Sequence, residues 1–468
     1  MSAPVVIIGA GPAGLSCARD LAAAGRELVI IDDNSRAGGQ YFRQLPDSYR
    51  VAPDARLMRD KARFDELAQV LALPGVRWLP SATVWGRPAD RTVAYAGPAG
   101  SGRIEASAVV IATGAQDRAL PFPGWTLPGV ITAGGCLNLA KAHGLVPSGR
   151  VVVAGNGPLV LVAAATLIAA GANVVRVVEA RSDLRLIPAA LAGALAAPGI
   201  LRTGIGYRNL IRKSAARFQT GRMIAGAQGE GGLSAVGIAP VGADGRPDRS
   251  RTEWIEADTL VTGYGLMPGT EAARVFGCRI AHDPGLNGLA PWRDTTLRTS
   301  EAGIWAIGDG AGIGGVEVAL LEGWLAAAAI LNQPAPAALL AKYRRLDAWR
   351  RRLNLAYRMP KPLVAATPDT IVCRCEELTL GRLVSDPNHA RGHLDALKIS
   401  SRIGMGRCQG RNCLHSAAVL LGLPEDSFDT HPRSRPPIKP LPLGLIAADA
   451  DAGPATEPDE IDMPARAS

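Results

Sequence analysis

Four consecutive apolar residues, Val5-Val6-Ile7-Ile8, open the chain and run into Gly9-Ala10-Gly11-Pro12-Ala13-Gly14. An Ala- and Leu-rich stretch follows, then a second apolar run, Leu28-Val29-Ile30-Ile31, that stops at Asp32-Asp33. Short apolar runs closed by glycine predict strands buried on both faces of a parallel sheet, and the Ala/Leu stretch predicts the crossover helix between them. The same order returns from Val151: a β-branched run, Gly155-Asn156-Gly157-Pro158-Leu159-Val160, an Ala/Leu-rich stretch and a second run ending on Glu179. Between the two, "ASAVVIATGAQDRALPFPGWTLPGV" predicts a buried strand stopped at Thr113-Gly114, and "ADTLVTGYGLMPGTE" predicts another. "IWAIGDGAGIGGVEVALLEGWLAAAAIL" predicts a strand, a Gly308-Asp309 turn and a long helix. Repeated strand–turn–helix units of this kind define an α/β fold.

The run from Val151 to Val175 is uncharged and long enough to imitate a membrane span. The Gly155–Pro158 turn splits it into a β-branched strand and an Ala/Leu helix, the reading of a buried βα unit, so the expectation is not an integral membrane protein. No basic region with a small-residue cleavage site precedes the first strand, and none is expected to be removed. From Pro334 to about Pro362 the chain is basic and of helical period, as in "KYRRLDAWRRRLNLAYRMPKP"; that helix reads either as a docking face or as a solvated helix. The acidic, Ala/Pro-rich end is expected to be disordered, with residues 426–468 assigned to that tail.

Length sets the number of units: 468 residues call for about three domains. The formal charge of +9 comes with only 4% aromatic residues and no basic–aromatic interleaving, which argues against nucleic acid as a partner. An anionic cofactor, an acidic protein or a metal–sulfur anion uses such an excess equally well.

The first glycine motif has specific chemistry. Gly9 permits the tight turn out of the strand, Gly11 lets the backbone approach a pyrophosphate, and Gly14 lets the helix pack close to the sheet with its N–H groups aimed at the phosphates. Asp32, with Asp33 as the neighbour able to substitute, stands where an acid takes ribose hydroxyls. A carboxylate at Asp309, on a turn before a helix N-terminus, is placed to accept ribityl hydroxyls, which favours FAD over NAD. Together "GAGPAG", "GGQ" at Gly38-Gly39-Gln40, "IATGA" and "AIGDGAG" resemble the two-dinucleotide-binding flavoproteins of the glutathione-reductase-like fold. That resemblance covers about residues 4–330. It implies two Rossmann-like, three-layer domains, the second inserted in the first, and FAD bound by Gly9, Gly11, Gly14, Asp32 or Asp33, Gly39, Gln40, Thr113, Gly114, Gly308 and Asp309. The implied boundaries are 1–118 and 261–333 for the FAD-binding domain, 119–260 for the insert and 334–365 for the basic helical linker.

In such flavoproteins the inserted unit binds NAD(P)H. Here Val160 replaces the third glycine, so the helix is expected to seat less closely. Gly155, Gly157 and Glu179 are the candidates for a second nucleotide, NAD(H) or similar, and a vestigial scaffold is the alternative. Cys17, Cys136 and Cys278 are isolated and read as small buried hydrophobes, which removes a disulfide-reductase mechanism.

Four other cysteines cluster near the end, in "IVCRCEELTLGRL" and "GMGRCQGRNC": Cys373, Cys375, Cys408 and Cys413. Clustered thiols suit metal ligation in a reducing cytoplasm, and two separated pairs can hold zinc or a 2Fe-2S cluster. The Cys373-x-Cys375 spacing is tighter than zinc knuckles use. Arg374, Lys398, Arg402, Arg407 and Arg411 suit a negatively charged cluster, and Gly404, Gly406 and Gly410 free backbone N–H groups for sulfur. The stretch resembles the bacterioferritin-associated-ferredoxin-type 2Fe-2S domain, small and mainly helical, here residues 366–425, in which all four such cysteines ligate iron. A flavin exchanges two electrons at once and a 2Fe-2S centre carries one, so the pair reads as a relay.

The whole order, tail excepted, resembles the α-type subunits of heteromeric amine and amino-acid dehydrogenases. That group includes the A subunit of opine oxidase, the flavoprotein subunit of hydrogen cyanide synthase, and the α chain of dye-linked proline or hydroxyproline dehydrogenase. The resemblance implies an oxidoreductase subunit that moves electrons from a β subunit of the D-amino-acid-oxidase/glycine-oxidase type to a quinone chain or dye. It implies no catalytic base on this chain. A stand-alone NADH-dependent ferredoxin- or rubredoxin-type reductase is the rival expectation. The cytoplasm is the expected location, peripheral at the inner membrane through the complex.

Overall fold

The computed structural model describes residues 3–46, 60–98, 100–182, 186–358, 363–423 and 434–451. The first sheet is five-stranded and parallel, in the order Ile304–Ala306, Ala108–Ile111, Val5–Ile8, Leu28–Ile31, Val76–Leu79. All four residues of Val5–Ile8 are buried, because the sheet is covered on both sides. On one face the helices Pro12–Ala23 and Gly315–Ile330 cross so closely that a Cβ on Gly323 would lie 2.3 Å from the Ala13 carbonyl oxygen. On the other face a meander of Thr83–Gly86, Thr92–Gly97 and Gly100–Glu105 contributes Val84, Val93 and Ile104 to a core shared with Val6 and Ile8.

A second parallel sheet runs in the order Arg217–Thr220, Asn173–Glu179, Arg150–Gly155, Thr259–Gly263, Val130–Thr132. Ala115–Asp117 and Leu266–Pro268, paired antiparallel, are the two chain crossings between the units. The second unit therefore extends through Gly263, past the expected boundary at 260, since hydrogen bonding rather than the apolar pattern ends the strand. The run that imitates a membrane span divides at the glycine turn into the strand Arg150–Gly155 and the helix Pro158–Ala169. Among the described residues no helix is long and apolar enough to cross a membrane.

Val160 does not hold that helix away. It is fully buried, and its Cγ2 lies 3.3 Å from where a Cβ on Gly263 would be. The small residue that close packing needs has moved to the neighbouring strand.

The basic helix, Ala337–Tyr357, is no simple solvated helix. Leu346, Trp349 and Arg350 are buried, and Trp349 Nε1 donates to the Ala189 carbonyl, 3.2 Å, in the helix Ile187–Ala196 of the second unit. The cysteine module is a short hairpin, Ile371–Cys373 with Leu378–Thr379, followed by the helices Leu380–Val384, Leu394–Ser401 and Leu414–Leu420 around Val372, Leu383, Leu397 and Ile403.

The disordered tail expected over 426–468 needs correcting in part. Residues 434–451 are folded: Ile438 is buried in the core with Ile31 and Val84, and Leu443–Asp451 is helical against Gly100–Glu105. One apolar side chain with a place in a core is enough to order a polar segment around it, and composition does not reveal that place. The remainder of the tail lies outside the described residues.

Candidate functional site

The first glycine turn is too tight for side chains. Gly9 has φ +108°, and a Cβ there would lie 2.4 Å from the Ala112 carbonyl oxygen; on Gly14 it would lie 2.0 Å from the Gly9 oxygen. Gly39, at φ +58°, closes on Gly11, where a Cβ on Gly39 would sit 2.9 Å from the Gly11 Cα. Gln40 is exposed beside it. The two acids divide the work. Asp32 is buried and tied to its own loop: Oδ2 accepts from the Ala10 N–H (2.7 Å), while Oδ1 accepts from the Asn34 N–H and from Asn34 Nδ2, both 2.8 Å. Asp33 faces outward, accepts from Asn34 Nδ2 at 3.1 Å and meets Lys439.

The "IATGA" stop and the Gly308-Asp309 turn meet over that site. A Cβ on Gly310 would lie 3.0 Å from the Gly114 nitrogen and 3.1 Å from Thr113 Oγ1, and Thr113 Oγ1 itself donates to the Gly269 carbonyl at 3.0 Å. Asp309 Oδ1 accepts from the Gly314 and Gly315 N–H groups at 2.8 and 2.9 Å, which folds the turn onto the N-terminus of the helix Gly315–Ile330. Burial pushes the Asp309 carboxyl above its ordinary value, against the pull of those N–H groups and of Arg350.

Sequence reading missed what lies beneath the turn. Glu322 is fully buried; its Oε2 accepts from the Gly308 N–H (2.7 Å) and Arg293 Nη1 (2.9 Å), and its Oε1 accepts from Arg350 Nη2 (2.9 Å) and the Tyr343 hydroxyl (3.2 Å). Arg350 Nη1 donates to the Gly312 carbonyl at 2.8 Å, and its Nε donates to Asp347 at 2.7 Å. Two carboxylates and two guanidiniums thus neutralise each other under the Gly308–Asp309 turn. The available signal was an arginine on the same helical face as Leu346 and Trp349.

The second glycine turn differs. A Cβ on Gly155 would lie 1.9 Å from the Gly263 oxygen, so that glycine is required; Gly157, at φ +118°, has open space where a Cβ would stand. Glu179 is buried, with Oε2 accepting from the Gly157 N–H and Oε1 from the Arg181 N–H, each at 3.0 Å, so it clamps its own loop as Asp32 does. Asn156 Nδ2 donates to the Tyr357 carbonyl at 2.8 Å, which brings the carbonyl end of the basic helix to the turn. A helix C-terminus carries partial negative charge where a phosphate would need the opposite.

The four clustered thiols converge, with Cys413 in hydrogen-bonding reach of Cys373 and Cys408, and Cys408 of Cys375. Hydrogen bonding from Cys413 and from the Gly404 N–H lowers Cys373 to about 6 against burial; Cys413, Asn412 and Gly410 lower Cys408 to about 5. Cys413, the donor of both contacts, is raised. Gly406 has a steric role instead: its Cβ would lie 2.1 Å from the Cys375 Cβ. Among the described residues no group of three or more His, Cys, Asp or Glu side chains is arranged to hold a metal ion. Two of the cations expected around the cluster are paired with carboxylates, Arg402 with Glu376 (2.9 Å) and Arg411 with Glu271 (3.3 Å). Burial raises Cys17, Cys136 (to about 11) and Cys278, and all three are buried core residues.

Besides the Arg411–Glu271 pair, contacts through Trp125 and Ser416 seat the cysteine module on the rest. Trp125 Nε1 donates to the Ile371 carbonyl at 2.6 Å, while the Arg374 guanidinium lies 5.5 Å over its ring. Ser416 Oγ donates to the Ala119 carbonyl, close after the crossing strand that leaves Gly114.

Two glycine-turn units with a flavin-type turn at their junction define a two-dinucleotide-binding flavoprotein, an oxidoreductase class. Residues 3–323 match the family described as pyridine nucleotide-disulphide oxidoreductase, and the chain belongs to that flavin oxidoreductase family. It is similar to the A subunit of opine oxidase from Agrobacterium tumefaciens (strain Ach5), with 34% identity over 95% of this chain and 91% of that one. Hydrogen cyanide synthase subunit HcnB of Pseudomonas aeruginosa is 32% identical over 94% of this chain and 97% of its own length. Among solved structures, L-proline dehydrogenase from P. horikoshii superposes with a TM-score of 0.65 at 18% identity, over 95% of this chain and 79% of that one, a likeness of fold.

Proposed function

We propose that this chain is the electron-transferring α subunit of a heteromeric amine or amino-acid dehydrogenase of opine, proline or glycine type. It takes electrons from a β subunit of the D-amino-acid-oxidase/glycine-oxidase kind and passes them to a quinone chain or dye. FAD, when bound, supplies two-electron exchange, and a 2Fe-2S cluster supplies one-electron carriage. Gly9, Gly11, Gly14, Gly39 and the Gly308–Asp309 turn would hold the flavin nucleotide; Cys373, Cys375, Cys408 and Cys413 would hold the cluster.

The observation that carries the reading is the seating of four converging thiols, through Trp125 and Ser416, against the segment that leaves Gly114. The relatives' names support a subunit role, since both curated relatives are called subunits. An apolar stripe supports a partner too: Ile187, Leu191 and Leu195, at successive turns of one uncharged helix, are 50%, 66% and 84% exposed. Such a stripe is what an interface with a second chain covers.

The rival, an NADH-dependent reductase, draws on the open space at Gly157. Against it stand the Tyr357 carbonyl at the second turn and the commitment of Glu179 to its own loop. The test is anaerobic. NADH added to the purified chain should leave the flavin absorbance unchanged, whereas amine or amino-acid substrate should bleach it once the β subunit is present. Fast bleaching by NADH alone makes the chain a reductase.

A further inference from the structure

Lys439 lies at the far end of the chain from the first glycine motif, yet it meets Asp33. The segment that brings it there is fixed at three points. Pro436 packs over Gly86, where a Cβ would be 3.5 Å from the proline ring; the Ile438 N–H donates to the Trp85 carbonyl at 2.9 Å; and the Ile438 side chain is buried with Ile31, Ala82 and Val84. Ile31 ends the strand that delivers Asp32 and Asp33. The segment thus binds the edge strand of the meander, Thr83–Gly86, and its Ile438 side chain packs with the strand that precedes the acids. Its other attachment is to the cysteine module, where Arg411 donates to the Ile438 carbonyl.

The chemistry at that place is asymmetric. Asp32 is buried and held by Ala10 and Asn34 in its own loop, whereas Asp33 lies on the exposed side, where it meets Lys439. A carboxylate oxygen accepts more than one hydrogen bond, and an ammonium has three donors. Lys439 can therefore remain on Asp33 while donating to a ribose oxygen, and it neutralises a charge that would otherwise face an anionic nucleotide.

We propose that Pro436–Lys439 completes the adenosine end of the dinucleotide site, with Lys439 as a ligand-binding residue contributed by the C-terminal segment. The inference rests on the reading of the first glycine turn as an FAD site. Its ligand part is the adenosine diphosphate half, which FAD shares with ADP, and the isoalloxazine end is outside its reach. Through Arg411, whose Nη1 also bonds the Cys408 carbonyl at 3.3 Å, the same segment ties the thiol loop to the nucleotide site.

The experiment is calorimetric titration of FAD and of ADP into the flavin-stripped full chain, for the wild type and for Lys439→Ala, Lys439→Arg and Ile438→Asp, with circular dichroism melting as the check on folding. Lys439→Ala should weaken both ligands by the same factor, about tenfold, the size of one charge-assisted hydrogen bond. Lys439→Arg should restore most of that affinity, and Ile438→Asp, which detaches the segment, should reproduce the loss. Unchanged affinities in Lys439→Ala overturn the proposal. Tighter binding in that variant also overturns it, because Lys439 then occupies the ribose position and competes. A wild type that binds ADP and not FAD sinks the FAD reading alone, and the ADP titrations still decide the role of Lys439.

Discussion

Arg350 Nη2 lies 2.9 Å from Glu322 Oε1 in the interior, with the arginine side chain 3% exposed and the glutamate 0%. The pair joins the helix Ala337–Tyr357 to the helix Gly315–Ile330, and through the Gly308 N–H it fixes the turn that carries Asp309. Removing one member of a buried pair leaves the other charge unpaired in low dielectric, at a cost of about 3–5 kcal/mol. Glu322→Gln is therefore expected to lower stability by about that amount and to purify with little flavin. Urea unfolding and the flavin-to-protein absorbance ratio measure both.

The same carboxylate sets a pH limit. Burial opposes its ionisation, but Arg293 and Arg350 prevail and its pKa falls below the ordinary 4.5. A depressed carboxylate contributes stability that is full above the unfolded value and lost as pH falls through the folded one. Acid unfolding attributable to Glu322 should begin below pH 4.5 and be absent from Glu322→Gln, as a pH series of melting temperatures would reveal.

Asp309 acts in the opposite sense. Its pKa is raised from 3.8 by burial, so its charge costs stability as pH rises through the folded value. Asp309→Asn keeps an oxygen to accept from Gly314 and Gly315 and removes the buried charge. The flavin-free variant should melt higher than the flavin-free wild type at neutral pH while binding FAD more weakly. Equal melting temperatures would rule this out.

The two glycine turns should respond differently to a methyl group. Gly14→Ala drives a Cβ to 2.0 Å from the Gly9 oxygen and should abolish flavin retention. Gly157→Ala meets no atom within 4 Å and carries only the strain of its positive φ, about 1–3 kcal/mol. It should leave flavin content and turnover of the complex unchanged.

The two cysteine classes should separate by metal content. Cys375→Ser should remove iron and acid-labile sulfide from protein made anaerobically with iron, whereas Cys278→Ser, in the core beside Thr299, should retain both. Zinc without sulfide in the wild type would exclude the cluster.

Leu191→Glu combined with Leu195→Glu changes two exposed side chains, so folding stability should move by less than about 0.5 kcal/mol. Co-purification of the β subunit should be lost. Retention of the partner would place the interface elsewhere.

What the sequence determined by itself was local and periodic. Unbroken apolar runs between glycines are strands buried on both faces, and Val5–Ile8, Leu28–Ile31 and Arg150–Gly155 stand where those runs stand. Gly9 and Gly14 were legible because only glycine tolerates a carbonyl at the place of its Cβ. Relations between distant segments emerged only in the folded chain. Val160 seats because Gly263 lies opposite it, and Arg350 is turned inward to a glutamate on another helix. Asp32 is spent on its own loop while Asp33 faces out, and Ile438 draws the C-terminal segment back to the first sheet. Side-chain periodicity records which face is buried; it does not record the partner waiting there, because that partner arrives from a part of the chain whose position depends on every fold between.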